Sequence, residues 1–327
     1  MDDSLSRIIE KVVHETVPRT IQLRVSAAQK QFDASHGESS CTLEQTYLET
    51  ARGERHFDER LISPKGPGSH SDSYCDGAKC ANVRYMPDDP DRQQMVSISH
   101  DFMIESKTGY RDAPEPLRYY HVGLTPLHEA LPAAESMGQE RVIDRTCNVF
   151  HFKEVGLPGH KQSLVYSLDE ATSVPLKIAA YRNPEQIREN VPNWVWEATT
   201  LDTISGRHYP RKSKYTSFRV TQDDAGHWAS KPQMTRTIET SEITFDADIP
   251  KTAFWPSIQP GVQVFDAVAK KHKHYQTPGE PPAQQTTSTT APPIRVAPES
   301  GSWLPGIGVA LSLAVLGVAA ILWMRSR

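Results

Sequence analysis

The chain is short of cysteine, of surplus charge and of the motifs that mark familiar catalytic sites. Four Cys among 327 residues exclude a fold built on disulfides, and no C-x-x-C occurs. The 36 Lys and Arg stand against 40 Asp and Glu, for a net charge of −4. There is thus no basic surplus of the kind nucleic acid requires, and no nucleic-acid partner is expected. No G-x-S-x-G elbow, G-x-x-x-x-G-K-[ST] phosphate loop or G-x-G-x-x-G fingerprint is present. A zinc-hydrolase helix needs two His four residues apart, so that both imidazoles share a face. His128-Glu129 begins that pattern, but Pro132 stands where the second His belongs. The other histidines, His56, His100, His121, His151, His208 and His227 among them, are scattered singly. Neither catalytic residues nor a cofactor nor a metal site is expected, and the chain does not read as an enzyme; a hydrolase with an unrecognised site is an alternative.

Hydrophobic residues make up only 37% of the chain, Tyr included, and they are unevenly spread. Residues 303–324, WLPGIGVALSLAVLGVAAILWM, carry no charge. As a helix at about 1.5 Å per residue they span ~33 Å, close to a bilayer core of ~30 Å. Trp303 and Trp323 sit near the ends and Arg325 and Arg327 follow, the flanks expected of a membrane helix with a cytoplasmic tail at 325–327. The same rule places the preceding domain outside the cytoplasm, on the periplasmic side. Residues 1–18 carry no apolar signal-like run, so a tail-anchored protein with a cytosolic domain is the alternative, and a processed C-terminal sorting signal is a third. Residues 276–302 are rich in Pro, Thr and Ser and read as an extended linker, because they have almost nothing to bury. The basic run from Lys270 to His274 reads as solvated charge.

Residues 1–275 read as mainly β. Leu5, Ile8, Ile9 and Val12 have helical spacing over residues 3–15. From Pro18 the period becomes two, and strands are expected at 20–25, 43–50, 54–62, 79–86, 93–99, 140–155, 161–169, 174–182, 194–201, 214–221 and 234–245. Turn signals separate them, among them 64–68, Asp76-Gly77 and 87–91. Hairpin-length gaps imply one antiparallel meander. Residues 140–155 read as a single long strand. Leu164, Tyr166 and Leu168 share one face, and Leu176, Ile178 and Ala180 another. A further helix fits 125–137, interrupted at Pro132. Such a sheet of about ten strands must cover an apolar concave face, either with helix or with a hydrophobic ligand.

Two segments carry a family resemblance. The run Leu168-Asp169-Glu170-Ala171-Thr172-Ser173-Val174-Pro175-Leu176 has the form L-D-x-x-T-x-x-P-L. The second runs from Ile243 through Ile249-Pro250 and Phe254-Trp255-Pro256 to Pro260-Gly261-Val262. Together they resemble the outer-membrane lipoprotein carrier (LolA/LolB-like) superfamily over roughly residues 5–268. That resemblance implies an α+β, mainly β fold. Its core is a half-open curved antiparallel sheet, an incomplete barrel, with one or two covering helices, here followed by the transmembrane helix. It implies a membrane-tethered, non-enzymatic module that binds an acyl chain or lipoprotein at the bilayer. The alternative within the family is a regulatory sensor that holds a membrane-protein partner such as an anti-sigma factor. Phe150, Phe152, Tyr166, Trp194 and Trp196 are the candidate cavity aromatics.

Cys75 and Cys80 flank Asp76-Gly77-Ala78-Lys79. If those four residues form the loop, the two Cys face each other and a disulfide is possible. If Asp76-Gly77 alone forms the turn, Cys75 faces Ala78 instead. Cys41 and Cys147 read as small buried hydrophobes or a second pair.

Overall fold

Alternating apolar and polar residues become strand through most of the chain. The computed structural model describes residues 3–16, 20–33, 37–64, 68–100, 113–115, 117–156, 161–268 and 271–274. The linker, the apolar segment 303–324 and the tail lie outside the described residues. Among the described residues no helix is long and apolar enough to cross a membrane.

Helix α1 (Asp3–Thr16) precedes six strands: β1 (Thr20–Asp33), β2 (Gly37–Thr50), β3 (Arg55–Ile62), β4 (Ser69–Cys75), β5 (Lys79–Met86) and β6 (Asp89–His100). A covering segment follows, made of a 3-10 turn at Leu117–Tyr120, β7 (His121–Val122), β8 (Thr125–Pro126), α2 (Leu127–Ala130) and a second 3-10 turn at Leu131–Ala133. The chain then runs through β9 (Glu135–Val142), β10 (Arg145–Val155), β11 (Gln162–Asp169) and β12 (Pro175–Tyr181). After the short α3 (Pro184–Arg188) come β13 (Trp194–Ile204), β14 (Arg207–Gln222) and β15 (Trp228–Phe245), then β16 (Gln263–Asp266) and β17 (Lys271–His274).

All strands except β7 and β8 join one 15-stranded sheet, ordered β17-β16-β6-β5-β4-β3-β2-β1-β15-β14-β13-β12-β11-β10-β9. It is open, with β17 and β9 at its edges. Two meanders, β1–β6 and β9–β15, meet where Ile21 lies opposite Phe245. The expected single meander is therefore two, and one pairing is parallel: Val264 of β16 lies beside Val96 of β6.

Each face has its own core. On the inner face, Leu23, Tyr47, Phe57, Tyr166, Trp196 and Ile238 form one buried cluster with Val12 of α1 and with Leu117, Tyr119, Leu127 and Leu131 of the cover. Strands from both meanders thus share one core with α1 and the cover. On the outer face, Ala81, Val83, Val96, Val262 and Val264 form a smaller cluster with Tyr74, Tyr85, Trp255 and Ile258. There the crossover from β15 to β16 is the cover.

Several expectations are corrected. Residues 140–155 are not one strand but the β9–β10 hairpin, turned at Ile143 (φ 49°) and Asp144 (φ 59°). Both residues take the left-handed conformation that a two-residue hairpin demands, without the Gly or Asn that usually marks it. Strand β4 was not anticipated. Leu164 and Tyr166 lie directly opposite Ala180 and Ile178, so the two apolar triplets share one face. The helix fitted to 125–137 is instead the short strand β8, one turn of α-helix, a 3-10 turn and the start of β9, with Pro132 early in the 3-10 turn.

Cys75 lies opposite Cys80 in the β4–β5 register and is bonded to it, with Cα atoms 4.2 Å apart. The Asp76 carboxylate accepts from the N–H groups of Ala78 and Lys79 at 2.9 and 2.8 Å, which shapes the four-residue loop. Cys41 and Cys147 are free thiols, not a second pair. A loop this short leaves the disulfide about 2 kcal/mol of unfolded-state entropy to remove. The double variant Cys75→Ser/Cys80→Ser is expected to lose about that much in urea unfolding, and an unchanged midpoint would contradict the estimate.

Candidate functional site

The inner face brings the five candidate aromatics onto one surface. Phe150 lies opposite Tyr166, and Phe152 opposite Leu164; the Phe152 ring meets that of Tyr166 edge-on at 5.2 Å. Trp196 is flanked by Ile178 and Tyr215 on the neighbouring strands. Four of the five are buried, Tyr166 and Trp196 completely, and Trp194 packs against the same cluster half-buried. The surface is not an open hollow. Tyr119 of the cover lies 4.9 Å from the Trp196 ring and 6.0 Å from that of Trp194. Tyr166 donates its hydroxyl hydrogen bond to the His121 carbonyl at 2.8 Å.

Few polar contacts fix the cover. Glu115, almost fully buried, accepts from the Tyr119 hydroxyl at 3.0 Å and lies 3.8 Å from Arg236 of β15. At the other end of the inner face, the buried Glu15 of α1 accepts from the His208 backbone N–H at 2.6 Å. Burial drives the Tyr119 and Tyr120 hydroxyls far above their ordinary pKa, with Glu115 adding to the effect at Tyr119. Neither phenol is an available base. These groups can hold an apolar guest, but they carry no nucleophile–base pair.

The L-D-x-x-T segment frames this surface. Asp169 accepts two hydrogen bonds from the Arg145 guanidinium, both at 2.8 Å. It also accepts from the Thr172 N–H at 3.0 Å and hydroxyl at 2.7 Å. Burial pushes the carboxyl up, but Arg145 and Thr172 outweigh it and hold Asp169 below the usual carboxylate range. The motif is hairpin architecture rather than chemistry.

The outer face holds a cluster that reading the sequence missed. His56, taken as a lone histidine, instead lies near Asp58, His70 and Asp72. In the β3–β4 register Asp58 is directly opposite Asp72, and His56 and His70 each precede one of these carboxylates by two residues. His70 Nε2 is 3.2 Å from Asp58 Oδ1 and 3.7 Å from Asp72 Oδ1; His56 Nε2 is 3.6 Å from Asp72 Oδ1. His70 Nδ1 meets the Pro90 carbonyl at 2.5 Å. Asp72 Oδ2 accepts from the Tyr85 and Tyr74 hydroxyls at 2.6 and 3.1 Å. Burial lowers the His70 pKa, but Asp58, Asp72 and the Pro90 carbonyl more than reverse this and raise it to about 9. The available signal was H-x-D repeated, at 56–58 and 70–72, each pair on one face of a strand.

A shallow open cleft of about 320 Å³ lies among Ala28, Ser40, Cys41, Thr42 and Ile62. Burial raises the Cys41 thiol, against Arg236, which leaves it a poor nucleophile.

No protein-family model matches the sequence, and neither does any curated protein. Solved structures do. One, described as an outer membrane lipoprotein-sorting protein domain from Vibrio parahaemolyticus, is 12% identical, with a TM-score of 0.47 over 76% of this chain and 95% of that one. A DUF1329 family protein from Desulfovibrio piger is 8% identical, with a TM-score of 0.43 over 77% and 98%. A LolA-superfamily protein from Nitrosomonas europaea is 12% identical, with a TM-score of 0.41 over 77% and 97%. Similarity at that level says nothing of activity.

Proposed function

We propose that the chain is a membrane-tethered, non-enzymatic module that takes an acyl chain or lipid-modified protein between its sheet and its cover. One observation carries this reading. Among the described residues the cover joins no strand of the large sheet, since β7 and β8 pair only with each other. Lifting it breaks no ladder hydrogen bond; the cost is the Tyr166–His121 hydrogen bond, the Glu115–Arg236 contact and exposed apolar surface, the last of which an acyl chain would cover again. Phe150, Phe152, Tyr166, Trp194 and Trp196 would line the path. Residues 303–324 would anchor the module with its sheet domain on the periplasmic side.

Uptake of cis-parinaric acid by the delipidated chain tests this proposal. Saturable fluorescence enhancement is expected. Tyr119→Ala removes ring contacts worth ~0.5–1.5 kcal/mol each, so it should raise the open population and tighten apparent binding about tenfold. A chain that neither takes up the probe nor carries lipid by mass spectrometry would sink the proposal.

The open edge favours a second reading, a sensor that holds a membrane-protein partner. Among the described residues strand β9 is paired only with β10, it is exposed along most of its length, and an edge of this kind can accept a strand. A photo-crosslinker at Met137, 47% exposed, would recover that partner from cells; recovering none would count against this reading.

A further inference from the structure

The His56, Asp58, His70 and Asp72 cluster belongs to neither reading, and it is built in a way that ordinary sheet packing does not require. Like charges directly opposite each other on paired strands are destabilising, yet Asp58 faces Asp72, and Asp72 is buried. Four polar atoms of the cluster are buried with no aligned hydrogen-bond partner: His56 Nε2, Asp58 Oδ1, His70 Nε2 and Asp72 Oδ1. The short His70–Asp58 distance is therefore a contact without hydrogen-bond alignment. Buried polar atoms left in this state carry a desolvation cost of about 1–3 kcal/mol each. That the Asp58, His70 and Asp72 atoms lie within 4.8 Å of one another, with His56 Nε2 3.6 Å from Asp72 Oδ1, is the observation to be explained.

We propose that this cluster is a binding site for a divalent transition-metal ion of the zinc type. Asp58, His70 and Asp72 offer ligand atoms that all lie within 4.8 Å of one another, a spacing one ion can bridge. His56 Nε2, 3.6 Å from Asp72 Oδ1 but outside that trio, is the nearest candidate for a fourth donor. Mixed imidazole and carboxylate donors suit zinc, whereas calcium and magnesium sites are built from oxygen.

The surroundings are those that metal ligands need. A backbone carbonyl at His70 Nδ1 holds the proton on that nitrogen and turns the Nε2 lone pair toward the carboxylates, the usual second-shell arrangement of a metal-binding histidine. The two tyrosine hydroxyls saturate Asp72 Oδ2 and leave Oδ1 pointing inward. Tyr85 stacks on His70 at 3.8 Å and Tyr74 on His56 at 4.1 Å, which fixes both rings. The charge also balances, since two carboxylates and two neutral imidazoles carry −2, which a divalent ion cancels. Arg60 is the one other charged side chain at Asp58 among the described contacts, 3.8 Å away and half exposed. A single proton on His70 is the competing occupant; together with Arg60 it would also offset the two carboxylates, so the ion titration decides between them.

The site lies on the outer face, beside the cluster that Trp255 and Ile258 of the crossover help to close. A bound ion would clip β3 to β4 under that crossover, a structural role separate from the inner face. Its failure would leave the lipid-binding proposal untouched.

The experiment uses the full chain, without a polyhistidine tag, stripped with chelator and titrated with Zn²⁺ and with Co²⁺. One ion per chain is expected, and the Co²⁺ complex should show visible absorption typical of few-coordinate nitrogen and oxygen ligation. His70→Gln and Asp72→Asn should each abolish binding, whereas the control His272→Gln/His274→Gln should keep it. Tyr85→Phe removes only a supporting hydroxyl and should weaken affinity ~10–100-fold. It decides the matter if the ligand variants fail to fold. The proposal is overturned if no ion binds, or if binding survives the ligand variants and is lost in the control. It is equally overturned if Tyr85→Phe binds as tightly as the parent.

Discussion

Trp196→Ala is expected to lower the unfolding free energy by about 3–5 kcal/mol, the range for deleting a buried large aromatic. Trp196 is fully buried. It lies between Ile178 and Tyr215 on adjacent strands, with the Tyr119 ring above it. The loss would therefore strike β12, β13, β14 and the cover together, and the backbone ladder on both sides resists collapse into the space. Against a total stability of roughly 5–15 kcal/mol for a domain, this brings the fold near its limit. The control is Trp228→Ala, at the start of β15 and only half-buried, which should cost far less. Urea midpoints of the two variants provide the check; equal losses would mean that the inner face is not the principal core.

Asp169→Asn should cost about 2–3 kcal/mol near neutral pH, because four hydrogen bonds converge on this charged carboxylate and charged hydrogen bonds are worth ~1.5–3 kcal/mol. The lower end applies because Arg145 is 38% exposed and can be resolvated. The sign of the pH dependence follows from the direction of the shift. The folded state holds the Asp169 pKa below its unfolded value of about 3.9. Its contribution is thus complete above that unfolded value and is lost as pH falls through the depressed folded one. The gap between parent and variant should stay constant from neutral pH down to about pH 5 and narrow below about pH 4. Chemical unfolding of both proteins across that range measures it, and a gap that persists or widens in acid would contradict the assignment.

Legibility varied with how local the determining physics is. The helix over residues 3–15 was readable because four apolar residues repeat at helical spacing. Strand β12 was readable because Leu176, Ile178 and Ala180 recur at a period of two, although Ala179 and Tyr181 on its other face are buried as well. The β9–β10 turn was not, because Ile143 and Asp144 adopt left-handed backbone that their side chains do not advertise. Strand β4 escaped for another reason. Its sequence SHSDSYC buries His70 and Asp72 at the positions where a search for apolar alternation expects Val or Ile. The five aromatics were named as cavity candidates from sequence; that they lie in one cluster, and that the cover packs over it, depended on segments distant in the chain.

The amino-acid pattern alone determined that this is a β-rich chain of hairpins with an amphipathic first helix and a separate apolar C-terminal segment. Periodicity and turn chemistry act over a few residues, so they can be read along the chain. Only the tertiary structure decided that β1 pairs with β15 across more than two hundred residues, that β16 runs parallel to β6, and that the inner face is filled by the chain's own cover. It also decided that Asp58 of one strand comes within 4.8 Å of the buried His70 and Asp72 of the next. Those outcomes depend on strand register and on which surfaces exclude water together, and neither is a property of any short stretch of sequence.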